Sequence, residues 1–185
     1  EYSTGISIIR AIPTLAAHKE SVLPYEDALQ LVQKAPFLSL NPCTCRLAFR
    51  VCDDPIEVCI GLSMAQPTEQ AGEQAPGTPL LDHEHALTVA SRLASVDEVV
   101  DVLQRSEEEG LLHLCMNQKE DPWFICNCCR HACTLLRGVT ELGFDRAVAP
   151  SSYWTIVDED MCTGCELCLE RCPVGAISMR QDGVA

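Results

Sequence analysis

Thirteen cysteines fall within 185 residues, and they are crowded rather than scattered. Cys43 and Cys45 stand two apart, as do Cys126 and Cys128, while Cys128 and Cys129 are adjacent. Thiols so close along the chain suit convergence on one centre better than bridging of distant segments. A secreted disulfide scaffold is the rival explanation for such a count. Three features oppose it: the number is odd, the spacings are short, and no secretory signal pattern follows Glu1. The reading is a reducing compartment, the cytoplasm, with thiolates kept for metal.

The rest of the composition narrows the class further. Hydrophobic residues make up 47% and aromatic residues 5%, so a core is built mainly from Leu, Val, Ile and Ala. No run approaches the ~18 apolar residues of a membrane span. The length suits one compact domain or two small ones. A formal charge of −14 argues against nucleic-acid binding, which needs clustered Lys and Arg. It favours a basic partner, or simply serves solubility. The start at Glu1 and the stop at Ala185, soon after a cysteine motif, raise the expectation that residues are missing at both ends.

Local patterns set out the elements. Ile6, Ile8 and Ile12 hint at a strand. Leu23 to Asp27, with Pro24 in its first turn, predicts a helix start; Ala28, Leu29, Leu31 and Val32 give its apolar face and Pro36 ends it. Residues 66–80 read as a loop. Ser95-Val96-Asp97-Glu98 fits a capping box, with Val96, Val99, Val102 and Leu103 on one face and Gly110 as the stop. Leu111, Leu112 and Leu114 predict a strand leading to Cys115. A helix is expected from about Cys129 to Leu142, closed by Gly143, and a strand from Tyr153 to Val157.

Three cysteine groups carry the chemistry. Cys162, Cys165, Cys168 and Cys172, followed by Pro173, read C-x2-C-x2-C-x3-C-P. This spacing wraps three thiolates around the corners of a [4Fe–4S] cubane, with Gly164 letting the backbone approach. Pro173 then carries Cys172 into a short helix over Val174 to Ile177. A zinc knuckle is the rival, but zinc sites show two separated C-x2-C pairs. The second group is Cys126, Cys128, Cys129 and Cys133, in the pattern C-x-C-C-x3-C. The third is Cys43, Cys45, Cys52 and Cys59, in the pattern C-x-C-x6-C-x6-C. A [4Fe–4S] cluster is preferred for the third group, with structural zinc as the alternative. Twelve cysteines thus supply three sites, and Cys115 is left as a small buried apolar residue. His131 is either a ligand or, preferentially, a solvated or core histidine. Arg46 and Arg50 either donate to cluster sulfides or are ordinary surface arginines, the preferred reading. No catalytic residue is assigned: His83-Glu84-His85 lacks the i, i+4 pair of a zinc protease, and no phosphate loop or dinucleotide fingerprint is present.

Residues from about 152 to 185 resemble one half of a bacterial-type [4Fe–4S] ferredoxin domain. That resemblance implies a strand, a cysteine loop, a short helix and a return strand starting at Ile177-Ser178-Met179. In two-cluster ferredoxins the fourth Cys of such a run serves the other cluster. If 126–133 is a degenerate second half, Cys126, Cys128 and Cys129 join Cys172, and Cys133 completes the set of Cys162, Cys165 and Cys168. The longer order, C-x-C-R at 43–46, Gly110-Leu111-Leu112-His113, C-N-C-C at 126–129 and the final run, resembles multi-cluster ferredoxin-like proteins of anaerobic microbes.

The expected fold is α+β. A mixed N-terminal part, 1–115, carries the first cysteine site, and a ferredoxin-like iron–sulfur part spans 116–185. The expected function is relay of single electrons through [4Fe–4S] clusters to or from a redox partner protein or a larger oxidoreductase, with no catalysis by the chain alone. An acidic body and all-Cys ligation favour the low end of a range of about −700 to +450 mV. The alternative is an iron–sulfur sensor of redox state or oxygen.

Overall fold

The computed structural model describes residues 9–12, 27–63, 91–117, 122–144, 146–150 and 156–185. The sequence expectations for Ile6, Ile8, Pro24, the loop at 66–80 and residues 153–155 lie outside them.

Alternating side chains build a six-stranded antiparallel sheet. Its strands are β1 (Ile9–Ala11), β2 (Phe37–Pro42), β3 (Glu57–Ser63), β4 (Arg92–Ala94), β5 (Leu112–Met116) and β6 (Phe124–Cys128), in the order β1-β5-β6-β3-β2-β4. Leu38 and Leu40 of β2, Val58, Ile60 and Leu62 of β3, Cys115 of β5 and Ile125 of β6 enter one core. Because successive strand residues point to opposite faces, Cys59, Leu114, Cys126 and Cys128 turn to the other side. Gly61 of β3 makes room for its neighbours on β2: a Cβ there would lie 2.3 Å from Ser39 Oγ.

Two helices cover the first face. The helix α1 (Ala28–Lys34) is capped by Asp27, whose carboxylate accepts from the backbone N–H of Leu29 and Gln30. The second, α3 (Val96–Glu108), follows the short α2 (Thr44–Phe49). Both halves of the expected capping box are present at Ser95 and Glu98, and Gly110 takes φ +73. Val99, Val102 and Leu103 seat α3 on the sheet, each burial contributing about 1.5–3 kcal/mol. Among the described residues no helix is long and apolar enough to cross a membrane.

The opposite face carries α4 (Thr134–Thr140), whose Leu136 packs with Ile9, Leu114, Cys128 and Cys133. This helix is shorter than expected, because residues 130–132 form a turn instead of its first turn. Gly143 ends the segment at φ +67 as anticipated. The expected boundary between 115 and 116 needs correction. It falls inside β5, and β6 pairs with both β3 and β5, so residues 124–128 belong to the sheet.

The C-terminal segment is held by local turns and one short helix, α5 (Leu167–Arg171). That helix precedes Cys172; the expected helix at Val174–Ile177 is absent, since Gly175 at φ +63 breaks it. Ile177–Met179 forms no strand either. Instead Arg180 N–H donates to Val184 O at 2.7 Å, closing a turn. The segment docks on the sheet domain through Arg171, whose guanidinium donates to Glu107 O at 2.5 Å and Glu108 O at 3.1 Å. A cation placed on the last carbonyls of α3 also complements the negative end of that helix.

Candidate metal centres

All thirteen cysteines are free thiols. Twelve of them gather in three places, but not as three groups of four contiguous in sequence.

The largest gathering is a ring of six. Cys59 comes from β3, and Cys126 and Cys128 come from β6, all on the same face. Cys43 and Cys133 occupy equivalent positions, as the N-cap residues of α2 and α4, and Cys45 lies in the first turn of α2. Cys43 contacts Cys45 and Cys59, Cys45 contacts Cys133, Cys133 contacts Cys128, Cys128 contacts Cys126, and Cys126 contacts Cys59. The thiols hydrogen-bond one another around the ring. Hydrogen bonds from Cys133 and then Cys43 pull Cys45 down to about 2. Bonds from Cys128 and then Cys59 pull Cys126 down to about 5. Their partners Cys43 and Cys128 are pushed up in return. Six convergent sulfurs with low-pKa members form a soft donor set, which suits a thiophilic metal centre.

A buried arginine serves this ring. Arg46 is only 3% exposed, which corrects its expected place on the surface. It donates to Pro55 O at 2.6 Å and to Asn127 O at 2.9 Å, and its charge faces Cys43 and Cys129. Asn127 is fully buried between two ring cysteines. Its Nδ2 donates to Val58 O at 2.6 Å, and its Oδ1 bonds His113. The guanidinium supplies positive charge where thiolates accumulate, and the amide fixes the register of β6 against β3.

The second gathering draws one pair of ligand-type residues from each of two loops. Cys52 and Asp54 precede β3; Cys129 and His131 follow β6. Their four donor atoms all lie within 4.8 Å of one another. The sulfurs are 3.7 Å apart, and His131 Nδ1 is 3.3 Å from Asp54 Oδ2. Against the burial that pushes Asp54 up, bonds with Cys52, His131 and Cys129 hold its carboxyl below the usual range. Burial, then Asp54, pushes the Cys52 thiol up to about 11.

The third gathering is the C-terminal run. Asp158 O accepts from the N–H of Cys162 at 3.0 Å, which turns the chain into the loop. Gly164 has φ +68, and a Cβ there would lie 2.9 Å from Gly183 O. Glu166 is also left-handed, at φ 63, so the loop reverses before α5 starts. The N–H of Leu167 and then the Thr163 hydroxyl lower the pKa of Cys165, and the N–H of Ala176 donates to Cys172 Sγ at 3.2 Å. Amides aimed at sulfurs favour thiolates, the form that binds iron.

The grouping differs from the sequence expectation in three respects. Cys52 bonds to Cys129 and Asp54 rather than completing a site with Cys43, Cys45 and Cys59. Cys129 leaves Cys126 and Cys128 for the same reason: it follows β6 and is no longer held on the face they share. Cys133 meets Cys45 and Cys128, instead of completing the set of Cys162, Cys165 and Cys168. His131 is exposed, as preferred, yet sits against Asp54 in the second gathering. Cys115 is fully buried in the core, a small apolar residue as expected.

Comparison with known proteins bears on the C-terminal run. Residues 155–178 match the family model of the 4Fe-4S binding domain. Over 29 residues the chain is 52% identical to a "Probable ferredoxin" of Methanosarcina thermophila, a match covering 16% of this chain and 50% of that protein. The chain thus spans half the length of the curated relative it matches. No solved structure matches. These matches support at least one [4Fe–4S] cluster in the C-terminal part of the chain. More particularly, the C-terminal part of the chain is a 4Fe–4S ferredoxin-type domain.

Proposed function

We propose that this chain is an electron-transfer protein, or a subunit of a larger oxidoreductase, that passes single electrons between a [4Fe–4S] cluster on Cys162, Cys165, Cys168 and Cys172 and a further iron–sulfur centre on the six-cysteine ring. The carrying observation is the packing of the C-terminal segment against the side chains beside the ring. Val174, two residues beyond Cys172, packs against the cluster of side chains that contains Cys128 and Cys133. A second sulfur site so close to the ferredoxin-type loop supports a relay rather than a lone structural cluster.

The residues have distinct parts in this reading. The thiolates hold iron, and the clusters, when bound, supply one-electron chemistry. Amides at Cys165 and Cys172 and the guanidinium of Arg46 set local charge, and with burial these are the levers on potential. The net charge of −14 suits a basic redox partner. Thirteen free thiols suit a reducing compartment, the cytoplasm. Spectroelectrochemistry on protein purified without oxygen tests the proposal. Two reversible one-electron steps are expected, one of them removed by Cys45→Ser and the other by Cys165→Ser. A single step, untouched by Cys45→Ser, defeats the relay.

A further inference from the structure

We propose that Cys52, Asp54, Cys129 and His131 form a separate mononuclear site for a divalent ion of zinc's kind. The argument starts from distances. Zinc binds sulfur at about 2.3 Å, so tetrahedral geometry places two thiolates about 3.8 Å apart. The Cys52 and Cys129 sulfurs are 3.7 Å apart. Zinc binds imidazole nitrogen and carboxylate oxygen at about 2.0–2.2 Å, which places that pair about 3.4 Å apart. His131 Nδ1 and Asp54 Oδ2 are 3.3 Å apart. A disulfide would need the sulfurs at about 2.0 Å. The irons of a cubane spread their thiolates over separate corners, whereas this set converges on one point, with every donor atom within 4.8 Å of the others.

The surroundings fit the same ion. Each loop supplies a ligand pair two residues apart, Cys52 with Asp54 and Cys129 with His131, so both loops are pinned at one point. Ala132 N–H donates to Cys129 Sγ at 3.4 Å, a second-shell bond of the type that orients a metal thiolate. Two thiolates and one carboxylate bring three negative charges. A divalent ion cancels two, and Arg46, whose charge bears on both Cys129 and Asp54, faces the third. Four protein donors close the coordination sphere, the mark of a structural site. Such an ion would fasten the start of β3 to the end of β6, next to the six-cysteine ring. The site is independent of the relay, because it takes Cys52 and Cys129 out of the iron–sulfur ligand set and leaves both electron-carrying centres intact.

The test is metal content of the full chain purified without oxygen, alongside Cys52→Ser, His131→Ala and Cys45→Ser. About one zinc per chain is expected in the parent protein. Zinc should be lost in Cys52→Ser and His131→Ala with iron and sulfide unchanged, and kept in Cys45→Ser. His131 is exposed, so its truncation leaves the core intact, and circular dichroism verifies this. Cobalt(II) alone, offered to zinc-depleted protein, should give a tetrahedral thiolate spectrum that His131→Ala abolishes. Loss of iron rather than zinc in Cys52→Ser would overturn the proposal by returning these thiols to a cluster. A parent protein with neither zinc nor a tetrahedral cobalt spectrum would overturn it by leaving only a surface ion pair. Neither result bears on the one-electron steps that test the relay.

Discussion

His113 shows how much of this molecule turns on single buried polar groups. It is 4% exposed, on the helix-covered side of β5, and bonds Asn127. Burial lowers its pKa from 6.5, although the Asn127 bond works the other way. The folded state therefore holds the ring neutral while the unfolded chain takes up a proton below about pH 6.5. Stability from this group is complete above that value and is lost as pH falls through it toward the lower folded pKa. Thermal midpoints should fall on acidification from about pH 7.5 to 5.5 and fall less in His113→Gln. Parallel curves for the two proteins would reject His113 as the titrating group. None of this was readable beforehand. A histidine or an asparagine near cysteines looks like a ligand or a turn residue until the face of the strand is known. The same holds for Arg46, expected on the surface and found in the interior.

At the scale of elements, legibility followed the chemistry of the backbone. The capping box at Ser95 was plain because the hydroxyl and carboxylate that satisfy a helix start are named in the sequence. Ser95→Ala should cost about 0.5–2 kcal/mol, measured by chemical denaturation. Glu98 is held at about 2, first by the backbone N–H of Ser95 and then by Arg92. Its depressed pKa means that its contribution is present above the unfolded value of 4.5 and fades as pH falls toward 2. Strands β3 and β6 were hidden for the opposite reason. Their second face carries Cys59 and Gly61, or Cys126 and Cys128, so the apolar and polar alternation that marks a strand is blurred by the very residues that serve the site. The C-terminal loop was legible in its cysteine spacing but not in its turns. Gly164 carries the clearest constraint there: an L-residue at φ +68 costs roughly 1–2 kcal/mol, and a Cβ would also press on Gly183 O. Gly164→Ala should lose iron from the C-terminal cluster first, seen as a lower iron-to-protein ratio after anaerobic purification. Full occupancy would show that the loop relaxes around the methyl group.

For the whole molecule, sequence spacing singled out the candidate ligand cysteines, and topology decided their company. Cys59 and Cys126 are 67 positions apart, yet the antiparallel pairing of β3 with β6 brings them into contact. No reading of spacing along a chain anticipates such a ring, because its members meet from strands and helix starts far apart in sequence. The same argument applies to the join between the two parts of the chain. Arg171 ties α5 to the end of α3, while Val174 reaches the side chains around Cys128 and Cys133. If electrons pass between the parts, this dock sets the distance. A cation on a helix end contributes about 0.3–1 kcal/mol, so Arg171→Ala should loosen the contact without unfolding either part. Iron content and the potentials of both centres should stay as they are. Exchange between the centres, followed by rapid-freeze electron paramagnetic resonance after limiting reduction, should change from one fast phase to a slower one. Unchanged exchange in Arg171→Ala would mean that Val174 alone keeps the centres within reach.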